Sequence, residues 1–463
     1  MPTSPVRIAG ASGFWGDRND ALLDQVRGGP VDFVLLDYLA EITMSILRVK
    51  KLRDPNAGYA GDFVKAMKPA LGDVVARGVR VVTNAGGMNP RACAEALAQL
   101  AREQGHAGLA IGLVEGDDVA DQLGALAEAG AESSASPGAL ANMDTGAAFS
   151  TIRERVMSAN VYLGADPIAE ALRQGAQIVV TGRCTDSALA LGPLLFRHGW
   201  RADDWNRRAA GVVAGHVIEC GGQASGGNFA GGWESVPDLA NLGYPIAEVE
   251  ANGDFVVTKH PGLGGLVNAA VVKEQLLYEI GDPRAYQTPD ATVDFTSFTL
   301  TDEGNDRVRI AGVRGAPPPR HLKVSISYQD GWTNAVGLTF VWPHAIERAQ
   351  ATERLLLERA AKLGIQIDEH HVDWIGVNGA HGPMAPRPEQ EPNELLFRMA
   401  IRTRDRDSAK RFGEEIAPLV LSGLPGACSG LLTGRPEPRP IVNFWPALVP
   451  KDAATPRVEV IRA

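Results

Sequence analysis

Residues Asp62–Arg77 read DFVKAMKPALGDVVAR, Val79–Thr83 read VRVVT, Arg91–Gln104 read RACAEALAQLAREQ, and Leu109–Val114 read LAIGLV. The first and third stretches have helical spacing, and Asn89-Pro90 opens the third with a cap and a first-turn proline. The second and fourth are continuous apolar runs, the pattern of strands covered on both faces. The same alternation extends in both directions. Upstream lie a strand at Val6–Ala9, a helix at Asp20–Val26 stopped by Gly28-Gly29, a strand at Val31–Leu36 and a helix at Tyr38–Leu47. Downstream follow a helix at Asp166–Gln174, a strand at Gln177–Thr181 and a helix at Ser187–His198. Ala135–Ala147 is small and polar, and reads as a surface excursion. This order predicts an α/β domain over residues 1–205, with a mostly parallel sheet and helices on both faces.

From about Asn206 the texture changes to glycine pairs and alternating strands, predicting a second, α+β domain with a mixed sheet over 206–463. HLKVSISY at His321–Tyr328 and the strand at Ala335–Trp342 read as a hairpin turned at Asp330-Gly331. A charged amphipathic helix at Ala345–Leu363, a strand at Leu395–Thr403 and a helix at Asp405–Val420 follow. A chain of 463 residues exceeds what one core supports, which agrees with two domains.

The net charge of −10 argues against a nucleic-acid or anionic-membrane surface. No stretch has the length of a membrane span or a secretory core, and the four separated cysteines suit a reducing cytoplasm. The nine histidines show no HxxxH spacing, so no protein-bound transition metal is expected.

Five strand-end segments carry candidate chemistry. Gly10-Ala-Ser-Gly13-Phe-Trp-Gly16 follows the first strand, and Asp37 closes the second. That spacing resembles a dinucleotide loop with its ribose-binding acid, but Asp17 would repel a pyrophosphate and no Tyr-x-x-x-Lys is present. A plain strand–helix turn, or a substrate loop with Gly13, Asp37 and Glu41, is the alternative. Asn84-Ala-Gly86-Gly87-Met-Asn89-Pro90 has the ligand-facing position of an open α/β sheet, or is a tight turn with Asn89 as helix cap. In Thr181-Gly-Arg183-Cys-Thr-Asp186, Arg183 can clamp a carboxylate or phosphate, while Asp186 caps the next helix or orients Arg183. His216-Val-Ile-Glu219-Cys220-Gly-Gly-Gln223-Ala-Ser-Gly226-Gly227 offers Glu219 as a buried general base and Cys220 as a nucleophile if His216 stabilises its thiolate. On a regular strand Glu219 and Cys220 would face opposite sides. Lys259-His260-Pro-Gly-Leu-Gly264-Gly265 is an anion nest or a turn into a helix.

Taken in order, these segments resemble the acyclic terpene utilisation (AtuA-type) family, formerly a domain of unknown function. Lys259-His260-Pro, Gln275-Leu-Leu-Tyr278-Glu279, Asp282-Pro283 with Tyr286, and Pro289-Asp290 extend the resemblance over essentially the whole chain. It implies catabolism of branched acyl chains, with coenzyme A present only as part of the substrate. Family members often carry, or pair with, a ferredoxin-fold segment of about a hundred residues. That segment is expected to be missing from this chain, which ends soon after Val458, and a separate small partner subunit would explain the departure. A homo-oligomer is also expected.

The combined expectation is an enzyme acting on a branched, carboxylated acyl-CoA by hydration–dehydration or a related proton transfer. Glu219, Cys220, His216 and Asp186 are the catalytic candidates. Gly13, Asp37, Glu41, Asn84, Gly86, Gly87, Asn89, Arg183, Gln223, Gly226, Gly227, His260, Gly264 and Gly265 are the substrate-binding candidates. Two alternatives stand beside it: a Cys220-dependent thioester hydrolase or acyl transferase, and a non-catalytic large subunit that needs its small partner.

Overall fold

The structure is a computed structural model of the chain and describes residues 4–131, 140–386, 388–428 and 436–463. Part of the expected surface excursion at Ala135–Ala147 therefore falls outside the described residues. The chain divides into two compact units, Met1–Ser327 with Phe444–Ala463, and Tyr328–Asn443.

In chain order the first unit runs β1 (Val6–Gly10), α1 (Ala21–Gly28), β2 (Phe33–Leu36), α2 (Glu41–Arg53), α3 (Asp62–Arg77), β3 (Arg80–Thr83), α4 (Pro90–Glu103), β4 (Ala110–Glu115), α5 (Leu123–Ala131), β5 (Val156–Val161), α6 (Asp166–Arg173), β6 (Ile178–Thr181), α7 (Ala188–His198), α8 (Trp205–Ile218), β7 (Ile246–Val249), β8 (Phe255–Thr258) and α9 (Ala269–Leu277). Strands β1, β2, β3, β6 and β4 lie side by side in that order and are parallel. Their continuous apolar character follows from burial on both faces. Val34, Leu36, Val81, Ile111 and Val180 pack with α1, α3 and α4. On the opposite face Phe33 meets Phe196 of α7, and Gly112 leaves room for Ala171 of α6. Each fully buried side chain of this kind stabilises the fold by ~1.5–3 kcal/mol.

Antiparallel strands extend the sheet at both edges. β7 pairs β1 with Val249 opposite Val6, β8 pairs β7, and Val308–Ala311 pairs β8. Arg457–Arg462 closes the other edge against β4. Residues 206–327 thus belong to the first unit, and the boundary expected after residue 205 lies inside it. Pairing across more than 200 residues of sequence leaves no local mark at that point.

The main elements of the second unit have the order strand, helix, strand, strand, helix, strand. They are the part of the strand His321–Val341 from Tyr328 on, Ala345–Lys362, Glu369–Ile375, Glu394–Thr403, Arg406–Glu414 and the part of the strand Arg439–Pro450 up to Asn443. A short helix, Leu419–Ser422, and a two-residue strand, Ala427–Cys428, accompany them. Glu394–Thr403 lies between Glu369–Ile375 and His321–Val341, and Arg439–Pro450 also pairs His321–Val341. This is the βαββαβ arrangement of a ferredoxin-like unit. Its core sets Val336, Leu338, Phe340, Phe397 and Met399 against Leu356 and Phe412 of the two helices.

The hairpin expected at Asp330-Gly331 is absent: His321–Val341 is one strand of 21 residues. Gly331 has φ +95°, and a Cβ there would strike the Thr403 carbonyl at 2.5 Å. The glycine permits close approach of a neighbouring strand, not a chain reversal. Among the described residues, no helix is long and apolar enough to cross a membrane.

Candidate functional site

The loops after β1, β2 and β6 and the turn after α8 wall a cavity of about 900 Å³. This is the carboxyl-end position at which open α/β sheets bind ligands, and the volume suits a small-molecule site. Gly13, Asp37, Glu41, Arg183, Asp186, Glu219 and Cys220, all expected from the sequence, line it.

The first glycine loop is shaped for packing. A Cβ on Gly13 would lie 2.6 Å from the backbone of Cys220. The loop therefore rests directly on the turn that carries Glu219. The Asp17 carboxylate fills the place where a phosphate would sit, accepting from the Gly13 N–H (2.8 Å) and the Tyr244 hydroxyl (2.5 Å). Asp37 is equally committed: its Oδ1 accepts from Asn84 Nδ2 (2.7 Å) and the Leu39 N–H (3.0 Å). That turn delays α2, which starts at Glu41 and not at Tyr38. These bonds leave the dinucleotide reading without its two anchor points.

One corner of the cavity is ionic. The Tyr162 hydroxyl, at the end of β5, donates to Glu41 Oε1 (2.5 Å), and Lys323 Nζ donates to the same oxygen (3.1 Å). Arg183 and Lys323 both lie close to the Tyr162 ring, 4.2 and 4.8 Å from its centroid. Burial alone would raise the Glu41 carboxyl, but the Tyr162 hydroxyl, Lys323 and Arg183 outweigh it and bring it down to about 2. Arg183 is 3% exposed. Its Nη1 donates to Asp186 Oδ1 (2.7 Å), so Asp186 orients Arg183 and does not cap α7. The Arg183 N–H is held by Asp117 Oδ2 (2.9 Å). Its Nε is buried without a partner.

The other end is apolar and acidic. His216 sits on the last turn of α8, and Glu219 follows the helix end three residues later. The apolar run before the glycines is helical, so the alternation of a regular strand does not apply, and the helix places His216 and Glu219 on one side. His216 Nε2 lies 2.9 Å from the Gln275 carbonyl, and Nδ1 lies 3.2 Å from Glu219 Oε1. Phe295 packs edge-on against the imidazole, with Tyr286 beside both. Burial holds the imidazole down to about 4. It pushes the Glu219 carboxyl well above the carboxylate range, helped by Asp186 and Glu279 and opposed by Arg183. Burial likewise raises the Cys220 thiol, and an ionised Glu219 would raise it further. A thiolate there would face carboxylates, the reverse of an activated cysteine.

Other expected residues serve elsewhere. Asn84 accepts from the Tyr38 N–H and fastens the loop after β2 to β3, while Asn89 caps α4. Gly86 and Gly87 pack within the same turn against Thr181, Pro90 and Leu47. Gln223, Gly226 and Gly227 belong to the turn beyond Cys220, where the Leu266 N–H bonds the Ser225 carbonyl. Gly264 and Gly265 pack against Asp238 and Ser225, and His260 is buried on Gly28 with Nε2 at the Gln25 carbonyl (2.9 Å). None of these ten lines the cavity. The sequence reading did not select Tyr162, Lys323, Glu279 and Tyr286, which do. Tyr162 and Lys323 meet because β5 pairs His321–Val341, and no local motif marks that pairing. Among the described residues one grouping of metal-ligand atoms lies within 4.8 Å, His344, Glu347 and Glu391, all exposed in the second unit.

No curated protein and no solved structure matches the chain. The sequence pattern described as acyclic terpene utilisation family protein AtuA matches residues 6–460. That span takes in both units and every residue of the cavity, so the chain belongs to the acyclic terpene utilisation family.

Proposed function

We propose that, within the acyclic terpene utilisation its membership implies, the protein is a lyase that moves a proton at the carbon next to the thioester of a branched, carboxylated acyl-CoA, in hydration–dehydration or a related step. The observation that carries this reading is Glu219: a carboxyl group withdrawn from water, its acid form favoured by burial, at the wall of a cavity large enough for a branched acyl chain. A carboxyl raised by burial is suited to acid–base work on a weakly acidic carbon. In the hydration direction the water oxygen bonds to the β-carbon as the C=C π bond opens toward the thioester. The resulting enolate takes the Glu219 proton at the carbon next to the thioester, and the proton released by the added water returns to the carboxylate.

The Gly13 N–H is taken by Asp17, so it does not serve the enolate oxygen. Tyr286 lines the cavity, and burial keeps its phenol protonated as a donor for that role. Arg183 takes the anionic end of the substrate. The raised Cys220 thiol gives the hydrolase alternative less support. The ferredoxin-like unit over Tyr328–Asn443 supplies, within the chain, the segment whose expected absence called for a separate small partner, so only a homo-oligomer stays in the proposal.

The test is hydrogen exchange from deuterated water into the carbon next to the thioester, across a panel of branched acyl-CoA thioesters. Exchange by the wild type, cut ~10²–10⁴-fold in Glu219→Gln, is expected. Equal exchange by the variant would end the assignment.

A further inference from the structure

The pair behind the cavity wall fixes where a proton lies. The Gln275 carbonyl can only accept, so the His216 Nε2 facing it at 2.9 Å carries the ring hydrogen. In turn the Gln275 side-chain amide donates to the His216 carbonyl (2.9 Å), locking the two elements together. Nδ1 is then a bare lone pair, and it lies 3.2 Å from a Glu219 oxygen. Two unprotonated acceptors at that distance, with both side chains 10% exposed or less, repel in a medium that screens poorly. One proton between them turns the repulsion into attraction.

We infer that His216 is a positioning residue and proton partner for Glu219: the resting protein holds Glu219 Oε1–H against His216 Nδ1, leaving the second carboxyl oxygen for the substrate. The inference rests on the proton-transfer reading above and adds the way a protonated acid also acts as a base. When a substrate C–H bond breaks, an O–H bond forms at Oε2, the Oε1–H bond breaks and an Nδ1–H bond forms. The enolate charge is then matched by an imidazolium whose other N–H already has its carbonyl. The reverse sequence delivers the proton back.

The groups around the pair agree. Glu219 has Asp186, Glu279 and Cys220 near it, with the Arg183 guanidinium opposing their effect. His216 faces Glu279, Asp186, Tyr286 and Phe295. Charge on Glu219 is opposed by two acids, and the apolar rings oppose charge on His216.

The experiment is nitrogen-15 NMR of the full chain labelled in histidine, with the His216 signals assigned by their loss in His216→Asn. At neutral pH one protonated ring nitrogen, Nε2, and one hydrogen-bonded lone pair at Nδ1 are expected. A buried protonated-carboxyl band in the infrared, absent from Glu219→Gln, should accompany them. Glu219→Gln keeps a donor at the same place, so the tautomer should persist there while α-carbon exchange is lost. His216→Asn should lower the rate of exchange with little change in KM. An imidazolium at neutral pH, or the ring hydrogen on Nδ1, overturns the inference. If no acyl thioester exchanges but the tautomer and the carboxyl band are found, the substrate reading falls and the pair stands.

Discussion

Glu41 and Glu219 line the same cavity, the first half-buried and the second buried, and their neighbours drive them in opposite directions. Glu41 has a phenol, an ammonium and a guanidinium near it, and burial is outweighed. Glu219 has a neutral imidazole, an apolar cluster and two further carboxylates, and burial wins. The comparison teaches that protonation here is set by what each carboxyl faces. One end of the cavity is suited to holding charge and the other to moving a proton.

The largest effect should separate the two ends chemically. Glu219→Gln is expected to lower α-carbon exchange ~10²–10⁴-fold, whereas Glu41→Gln should change the chemical rate by less than about tenfold. Equal losses in both would erase the distinction. Next, Tyr162→Phe combined with Lys323→Met removes two of the three groups that hold Glu41 down and leaves Arg183. Burial then counts for more, and carboxyl-carbon NMR should find Glu41 titrating clearly above about 2.

The sign of that change carries into stability. In the wild type the unfolded chain takes up the Glu41 proton first, as pH falls through 4.5. Stability supplied by this end is therefore present above 4.5 and is lost as pH falls toward about 2. The double variant should lose this part of its acid dependence in denaturant titrations.

At the other end the window is different. The unfolded chain protonates the imidazole near 6.5 and the folded chain near 4, so stability falls as pH drops across that range and levels off below it. His216→Asn should flatten the slope between pH 6.5 and 4, and an unchanged slope would place the proton elsewhere. The smallest effect concerns Cys220. With its thiol pushed up by burial, alkylation at neutral pH should be slow, and the exposed Cys428 should react first.

Much of the frame was legible because local patterns coincide with the elements they predict. Asp62–Arg77 is helical over the span its periodicity indicates, and the apolar runs around Val81 and Ile111 are buried parallel strands. Arg183, Asp186 and Glu219 were legible as charged groups at strand or apolar-run ends. Tyr162 and Lys323 were not, because their meeting is created by pairing between strands about 160 residues apart. The glycines of Asn84–Pro90 and Lys259–Gly265 drew attention for a sound reason, tight backbone geometry. That geometry serves contacts between loops and not a ligand. The same ambiguity misplaced the turn at Gly331. Glycine spacing reports close approach without saying what approaches.

The most direct test is a crystal structure of the chain with a non-hydrolysable thioether analogue of a branched, carboxylated acyl-CoA. The account predicts the carbon next to the sulfur-bearing group within hydrogen-bond reach of Glu219, at about 3–3.5 Å, with the anionic end toward Arg183. Ligand bound at the Gly10–Gly16 loop, or anywhere that leaves Glu219 facing only protein, would contradict it.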